Sequence, residues 1–514
     1  MTDNVLSSGI RWSGISVIGR EVSRTVFTVL LARIIGPDAF GIVAQALVYI
    51  GLVGLLLDQG FSSALIQRVH VEPNMPGAVV TVNLVVGLVL TGLTVAIAPV
   101  WASFMDSPEL TLVLVVLAPV LLIRSAAITP RALLLRNMEF RKIGIADISA
   151  AMVGGILGAA VALSGGSYWA LVAQMVATDA VLVVMLTAVG AGRWPNLHLR
   201  YLREIAPFSV RAFSAGLLTT SVSRNIDNLL IGRLQGAEAL AFYGLAYRLL
   251  LLPVQLACTT VGAVLFPLFS RLSDDLAALR AEMARTTRTL AVLTVPAMAL
   301  VAAAAPQLVS LLFGPQWMPA VPIVQVLAMA GAVQAVYQPS TTPIVLGLGR
   351  ASLNLRYAWL TTLVSTVGIV AGLPWGPLTV AVGYTAATVL LVPVEWLLRR
   401  HLLHMTLRSQ IVSLVPGAHT AVWVAAAYLV VAISIPGHDA LVLLFGATAS
   451  IAAGLAVLHF AHRSQLMELV RMVGRVIGRG GVDQSVAPPE STASPADGAE
   501  RPPPEASTHH GARR

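Results

Sequence analysis

Residues 17–31 read VIGREVSRTVFTVLL, an apolar run with Arg20, Glu21 and Arg24 in its middle. On a helix turning about 100° per residue, Arg20 and Arg24 lie about 40° apart and Glu21 falls in the same sector, so the run shows one polar face. Whether it is a soluble helix or a membrane span decides the fold, and the rest of the chain answers. The 514 residues are 57% hydrophobic and 11% charged, with a mean hydropathy of +0.82. Soluble domains carry about 25% charged residues. Apolar surface on this scale needs lipid as its solvent, which predicts an all-α integral membrane protein.

Fourteen apolar segments approach the ~20 residues that cross a bilayer, at roughly 10–34, 39–57, 77–101, 109–129, 143–164, 168–189, 206–232, 239–267, 288–313, 319–346, 353–374, 377–398, 411–434 and 439–460. Turn signals such as IIGPDAFG, LSGGSYW, FGPQWMP, LPWGP and IPGHD separate neighbours. The net charge is +9, from 32 arginines, one lysine and 24 acids. In a membrane protein such an excess points to cytoplasmic loops before nucleic acid. Loops numbered from the N-terminus divide sharply. The even ones hold Arg68; Arg131, Arg136, Arg141 and Lys142; Arg193, Arg200 and Arg203; Arg271, Arg280, Arg285 and Arg288; Arg350 and Arg356; Arg399, Arg400 and Arg408. The odd ones hold only Arg33 and Arg233. Both termini and every even loop are therefore expected in the cytoplasm. The N-terminal MTDNVLSSGIRW shows no basic region followed by a short apolar one and a small-residue cleavage site, so the first span is read as the insertion signal. Cys258, the single cysteine, sits in an apolar segment and reads as packing.

A shift of 200 residues superposes 11–65 on 211–265 without a gap, matching Arg11/Arg211, Arg24/Arg224, Arg33/Arg233 and Gly36/Gly236, with Asp38 facing Glu238. Leucine matches are cheap in such a chain; three arginines and a glycine are not. Six spans separate the copies, so both point the same way, and parallel repeats are one of the transporter architectures. The expected organisation is an N-terminal lobe of spans 1–6 (1–204), a C-terminal lobe of spans 7–12 (205–405) around a central cavity, two further spans (406–463), a basic amphipathic helix (464–480) and a disordered cytoplasmic tail (481–514). In that helix Leu466, Leu469, Val470 and Val473 recur at helical spacing and Arg471, Arg475 and Arg479 every four residues, suiting a surface of anionic lipids. The tail is rich in Pro, Ser, Gly and Ala and cannot form a core.

A charge at the centre of a span costs about 2.5–3.5 kcal/mol on insertion scales, so intramembrane charges are functional candidates. They are Arg20, Glu21 and Arg24 in span 1, Asp179 in span 6, Arg224 and Asp227 in span 7, and Arg248 in span 8. Structural ion pairs explain some of them: Glu21 with Arg24, and Asp227 with Arg248 at similar depth. Four bases against three acids leave a surplus of arginine, whose planar fork suits a phosphate. Arg20, Arg24, Arg224 and Arg248 are the expected anion-binding set, and Glu21, Asp179 and Asp227 the ion-pairing or coupling acids. No Gly-Lys-Ser/Thr loop, H-E-x-x-H, Cys/His cluster or G-x-S-x-G occurs, so neither ATP hydrolysis, a metal, another cofactor nor a catalytic residue is expected.

Four stretches resemble the oligosaccharide, or O-antigen, flippases, the polysaccharide-transporter branch of the multidrug/oligosaccharidyl-lipid/polysaccharide exporter superfamily. They are LARIIGPDAFGIVAQA; LLDQGFSSALIQR with Asp58, Gly60 and Ser62; PRALLLRNMEFRKIGIADI; and RNIDNLLIGRLQGAEALAFYGLAYRL followed by LFPLFSRLSDD. The likeness spans about residues 5–400. It implies two six-helix lobes around a cavity and a secondary transporter in the bacterial inner membrane. Its implied cargo is an undecaprenyl-diphosphate-linked oligosaccharide bound for exopolysaccharide or O-antigen, with polysaccharide polymerases and glycosyltransferases as implied partners. Two rival readings are a multidrug exporter of the same superfamily, which would want an acidic cavity, and a membrane-embedded polymerase or glycosyltransferase, which would want a sizeable loop domain. The basic polar face and the short odd loops argue against both.

The loop bias makes a topological prediction. Reporter fusions near residues 136, 280 and 490 should read cytoplasmic, and fusions near 165 and 316 should read external; an external signal at 490 would mean that an odd number of spans has been miscounted.

Overall fold

The computed structural model describes residues 2–57, 65–66, 68, 71–198, 200, 226–272 and 275–478. Among these residues the long regular elements are all helices: α1 Thr2–Gly54, α2 Met75–Phe104, α3 Glu109–Leu117, α4 Pro119–Arg136, α5 Phe140–Leu163, α6 Trp169–Leu186, α7 Ile226–Leu234, α8 Gly236–Arg271, α9 Leu276–Leu312, α10 Val321–Gly347, α11 Ala351–Gly372, α12 Pro377–Leu390, α13 Val392–Leu403, α14 Leu407–Ser434, α15 Asp439–Ala461 and α16 Arg463–Gly478. The described residues up to Leu469 form one compact unit, and those from Val470 belong to another.

Eleven helices among the described residues are long and apolar enough to cross a membrane, so the expected count of fourteen is not established. The difference has identifiable sources. Expected spans 1 and 2 run as the single helix α1, interrupted at Gly36, whose φ of 76° and ψ of 173° are non-helical. Of span 7 only Ile226–Leu234 is described, and α8, which covers expected span 8, is not among the eleven. Arg224, the Asp58–Ser62 loop and the tail beyond Gly478 lie outside the described residues. Gly236, the repeat partner of Gly36, also has positive φ, 90°. Glycine adopts that conformation without a Cβ penalty, which is why both copies of the repeat place it at the same break.

The first lobe is organised by α5, which packs against both α1 and α6. Its glycines set the spacing. A Cβ on Gly155 would meet the Phe27 ring of α1 at 2.1 Å, and one on Gly154 would meet Thr178 of α6 at 1.9 Å. Lipid offers no hydrophobic drive between helices, so small residues that admit close approach hold them together. One buried apolar cluster runs from Leu31 and Val43 to Leu171 and Val172. A second runs from Ile231 through Val324 to Ala381 and takes in Ala32 and Val48 of α1. In the second lobe α11 and α12 meet glycine to glycine: a Cβ on Gly383 would lie 2.0 Å from the Gly368 carbonyl oxygen. The pair α14 and α15 stands beside α9, with Gly417 against Ala291 and Gly446 against the Tyr428 ring.

The segment 130–142, expected from its charges as a cytoplasmic loop, instead continues α4 to Arg136, turns at Met138 and enters α5 at Phe140. Arg131 therefore lies within the helical bundle. Arg399, counted among the loop charges, is also interior: it is 2% exposed, donates to Thr287 Oγ1 and Ser340 Oγ at 2.9 Å, and covers the Tyr337 ring.

At the end that carries the odd-numbered turns, the two lobes interlock. A Cβ on Gly41 would stand 2.0 Å from the Ala237 carbonyl oxygen, so backbone touches backbone there. Gln45 Nε2 donates to the Gly232 carbonyl at 2.8 Å, and Trp317 Nε1 to the Ala32 carbonyl at 2.9 Å. Trp317 is fully buried, edge-on to Phe40 and Phe242 at 5.6 and 5.9 Å. Gly41→Leu cannot fit this contact, because the obstacle is a carbonyl and not the flexible end of a side chain. In a Cys258→Ala background, that change should raise several-fold the labelling of a cysteine at Leu47 by an impermeant thiol reagent added on the odd-turn side. Unchanged labelling would show that the seal lies elsewhere.

Candidate functional site

Between the lobes lie two adjoining cavities. The first, of about 500 Å3, is lined by Arg20 and Arg24 of α1, Arg124 and Arg131 of α4, Asp147 of α5, Asp179 of α6 and Arg248 of α8. Five guanidiniums thus face two carboxylates. The polar face of residues 17–31 does look inward, and its position follows from the glycine packing: Gly155 seats Phe27, and two turns earlier on both helices Asp147 meets Arg20.

Asp147, 7% exposed, is the hub. Arg131 grips it with both fork nitrogens, Nη1 to Oδ1 at 3.0 Å and Nη2 to Oδ2 at 2.8 Å, while Arg20 Nη1 reaches Oδ2 at 3.3 Å. Arg20 Nε also donates to Glu21 at 3.2 Å. Arg124 Nε donates to Asp179 at 2.9 Å. Arg24 stands 3.7 Å from Glu21, with its side chain 65% exposed. Arg248 projects from α8 over the Phe40 ring, 5.8 Å from its centroid. The acids are therefore committed to Arg20, Arg131 and Arg124, and Arg24 and Arg248 are the guanidiniums most open to a ligand.

Of the residues expected from sequence, Arg20, Arg24, Arg248 and Asp179 line this one cavity. Glu21 sits beside it, between Arg20 and Arg24. The expected Asp227–Arg248 pair is not formed. Asp227, 4% exposed, instead accepts from Tyr243 Oη at 3.3 Å and from the Asn228 backbone N–H at 2.8 Å, and faces the second cavity. Sequence reasoning missed Arg124, Arg131 and Asp147. A signal was present: Arg124, Ile128 and Arg131 share one helical face, and Asp147 lies within an expected span. The charge count alone places Arg131 in a loop.

The second cavity, about 810 Å3, shares Ala44, Leu47 and Arg248 with the first. Its walls carry tyrosines, glutamines, threonines and the acids Asp227 and Glu395. Among the described residues no three His, Cys, Asp or Glu side chains converge as a metal site would require. A closed seal at one end, a polar interior and apolar exteriors make an arrangement that can hold an anionic head group away from lipid.

Comparison with known proteins agrees with this architecture. The chain is 28% identical over 373 residues to the succinoglycan biosynthesis transport protein ExoT of Rhizobium meliloti, covering 71% of this chain and 74% of that one. It is 27% identical over 402 residues to the teichuronic acid biosynthesis protein TuaB of Bacillus subtilis, covering 77% and 82%. Its fold is similar to that of the lipid II flippase MurJ in an inward closed conformation, with a TM-score of 0.68, 12% identity, and 88% of this chain and 99% of that one covered. Residues 30–322 match the model of one family, and on that match the chain belongs to the polysaccharide biosynthesis protein family.

Proposed function

We propose that this chain flips a lipid-linked oligosaccharide, its sugars joined to undecaprenyl through a diphosphate, across the bacterial cytoplasmic membrane for cell-surface polysaccharide assembly. The observation that carries the reading is the first cavity, with five arginines against two acids. A diphosphate supplies the missing negative charge and matches the guanidinium fork. A cavity of that sign repels the organic cations a multidrug exporter would carry. The protein would make and break no bond; its work is to move a charged head group through an apolar layer, coupled to no hydrolysis within the chain.

Residues 1–204 and 205–405 would act as the two moving lobes, with both termini and the even loops in the cytoplasm. The interlocked end then faces outward, and the lobes would rock to open it. Arg24 and Arg248 would meet the diphosphate directly, with Arg20 assisting and Arg224 contributing from the equivalent helix of the second lobe. Glu21, Asp179 and Asp227 are candidates for holding charge balance, or a coupling proton, while the site is empty. Polymerases and glycosyltransferases of the same polysaccharide are the proposed partners, and anionic lipids the surface for α16.

Reconstitution into liposomes with a lipid-linked oligosaccharide, scoring its arrival in the opposite leaflet, tests the reading. Arg24→Ala should abolish flipping with protein levels near normal, because Glu21 keeps its bond to Arg20; Arg24→Lys, which retains charge without the fork, should impair it partly. Normal flipping by the folded Arg24→Ala, Glu21→Ala double variant would reduce the charges of span 1 to structural glue. Arg131→Ala separates structure from binding. Removing one partner of a buried pair costs about 3–5 kcal/mol, and the low end of that range is expected because Arg131 is one-third exposed, so its melting temperature should drop where that of Arg24→Ala does not.

A further inference from the structure

The second cavity has a composition the diphosphate does not explain. Arg248, on the edge shared with the first cavity, is the one cation among its described lining residues, while Asp227 and Glu395 bring carboxylates. The rest of its polar wall is neutral. On α11, Tyr357, Thr361 and Ser365 recur at helical spacing toward the cavity, while Trp359, Leu363, Val367 and Val370 lie on exposed positions of the same helix. A span with a hydroxyl stripe and a lipid stripe is built to wet one side.

The aromatic rings in this wall are held in place. Tyr384 Oη accepts from Gln334 Nε2 at 2.7 Å, Tyr357 Oη donates to Glu395, and Tyr337 Oη accepts from Trp396 Nε1 at 2.8 Å. Glu395 is fixed in turn by Thr341 Oγ1 at 2.7 Å. Tyr247 stacks on Tyr243 at 5.9 Å and meets Tyr384 edge-on at 6.1 Å. Anchored rings lose little freedom when a ligand arrives, so their apolar faces are preorganised.

From this wall we infer that the second cavity binds the first sugars of the oligosaccharide, and that those sugars are uncharged. A pyranose ring has an apolar C–H face and a rim of hydroxyls that both donate and accept. Tyrosine faces match the first, and amides, hydroxyls and a carboxylate match the second. The volume of about 810 Å3 falls in the ~300–1,000 Å3 range that encloses a drug-sized ligand, which leaves room for a short run of sugar rings. Because the two cavities join at Arg248, a diphosphate in the first would place its sugar at the mouth of the second. A uronic acid there would bring its carboxylate against Asp227, whose partners among the described residues are the Tyr243 hydroxyl and the Asn228 N–H rather than a cation; Arg399, behind the wall, serves Glu395, and Arg248 already faces the diphosphate.

This inference rests on the flippase reading, and its test keeps the two apart. The full-length protein in nanodiscs is titrated with three lipids: a polyprenyl diphosphate without sugar, the same lipid bearing a neutral disaccharide, and the same lipid bearing a uronate-containing disaccharide. The neutral glycolipid should bind about tenfold more tightly than the bare diphosphate, and the uronate form about tenfold more weakly than the neutral one. Tyr247→Ala with Tyr384→Ala should remove the advantage of the neutral glycolipid and leave the affinity for the bare diphosphate unchanged, whereas Arg24→Ala should weaken all three. Equal affinity for the neutral and uronate lipids, or for the neutral and bare lipids, overturns the sugar site, and needs no variant to observe. Binding of none of the three lipids, or binding indifferent to Arg24→Ala, would instead overturn the flippase reading.

Discussion

One carboxylate holds the arginines of three helices in the first lobe together. Asp147 sits on α5 between Arg131 of α4 and Arg20 of α1, 7% exposed, and takes three of its hydrogen bonds from guanidiniums. Either arginine alone, or the carboxylate alone, would carry a heavy insertion penalty. Together they tie three helices at one depth and leave one positive charge over. Glu21 answers that residual charge, and Arg24 and Arg248 give the cavity its sign. The glycines of α5 are part of the same device. By seating Phe27 and Thr178 against the backbone, they draw α1 and α6 close enough for the charged side chains to meet at hydrogen-bond distance.

Much of this was legible in the sequence, and the reasons are physical. Lipid forces backbone groups to pair within a helix, so apolar runs translate directly into spans. The repeat of 200 residues is visible because Gly36 and Gly236 answer to a backbone requirement, positive φ at a break, that few other residues meet. The span 1 charges announced themselves because three of them fall together. Asp147 and Arg124 did not, since each lies a few residues from the end of an expected span and acquires meaning only through a partner on another helix. Arg131 and Arg399 were hidden for a different reason. A count of basic residues near span ends cannot distinguish a guanidinium in the cytoplasm from one folded back into the bundle, and Arg399, over Tyr337 and bonded to Thr287 and Ser340, is of the second kind. Pairings were the least legible: Asp227 and Arg248 stand at similar depth, yet Asp227 turns to Tyr243.

The two basic residues that break the loop bias, Arg33 and Arg233, are explained by the repeat and the seal together. They are equivalent positions in the two copies, each just before a positive-φ glycine. Arg33, on the first lobe, donates to the Leu311 carbonyl on the second. Arg233, on the second, lies over the Phe104 ring of the first, 5.6 Å from its centroid. Their neighbours behave in the same reciprocal way: the Ala32 carbonyl accepts from Trp317 of the second lobe, and the Gly232 carbonyl from Gln45 of the first. Ala32 and Gly232 are themselves a repeat pair. The interlocked end thus obeys an approximate two-fold relation that the cavities do not. Below it the copies have diverged, one wall gaining guanidiniums and the other tyrosines and amides. A gate serves both lobes equally and gains from being symmetric, because each half closes on the other by the same contact. A substrate with a charged end and a sugar end has no such symmetry, and a pair of walls that remained alike could recognise only one of its ends.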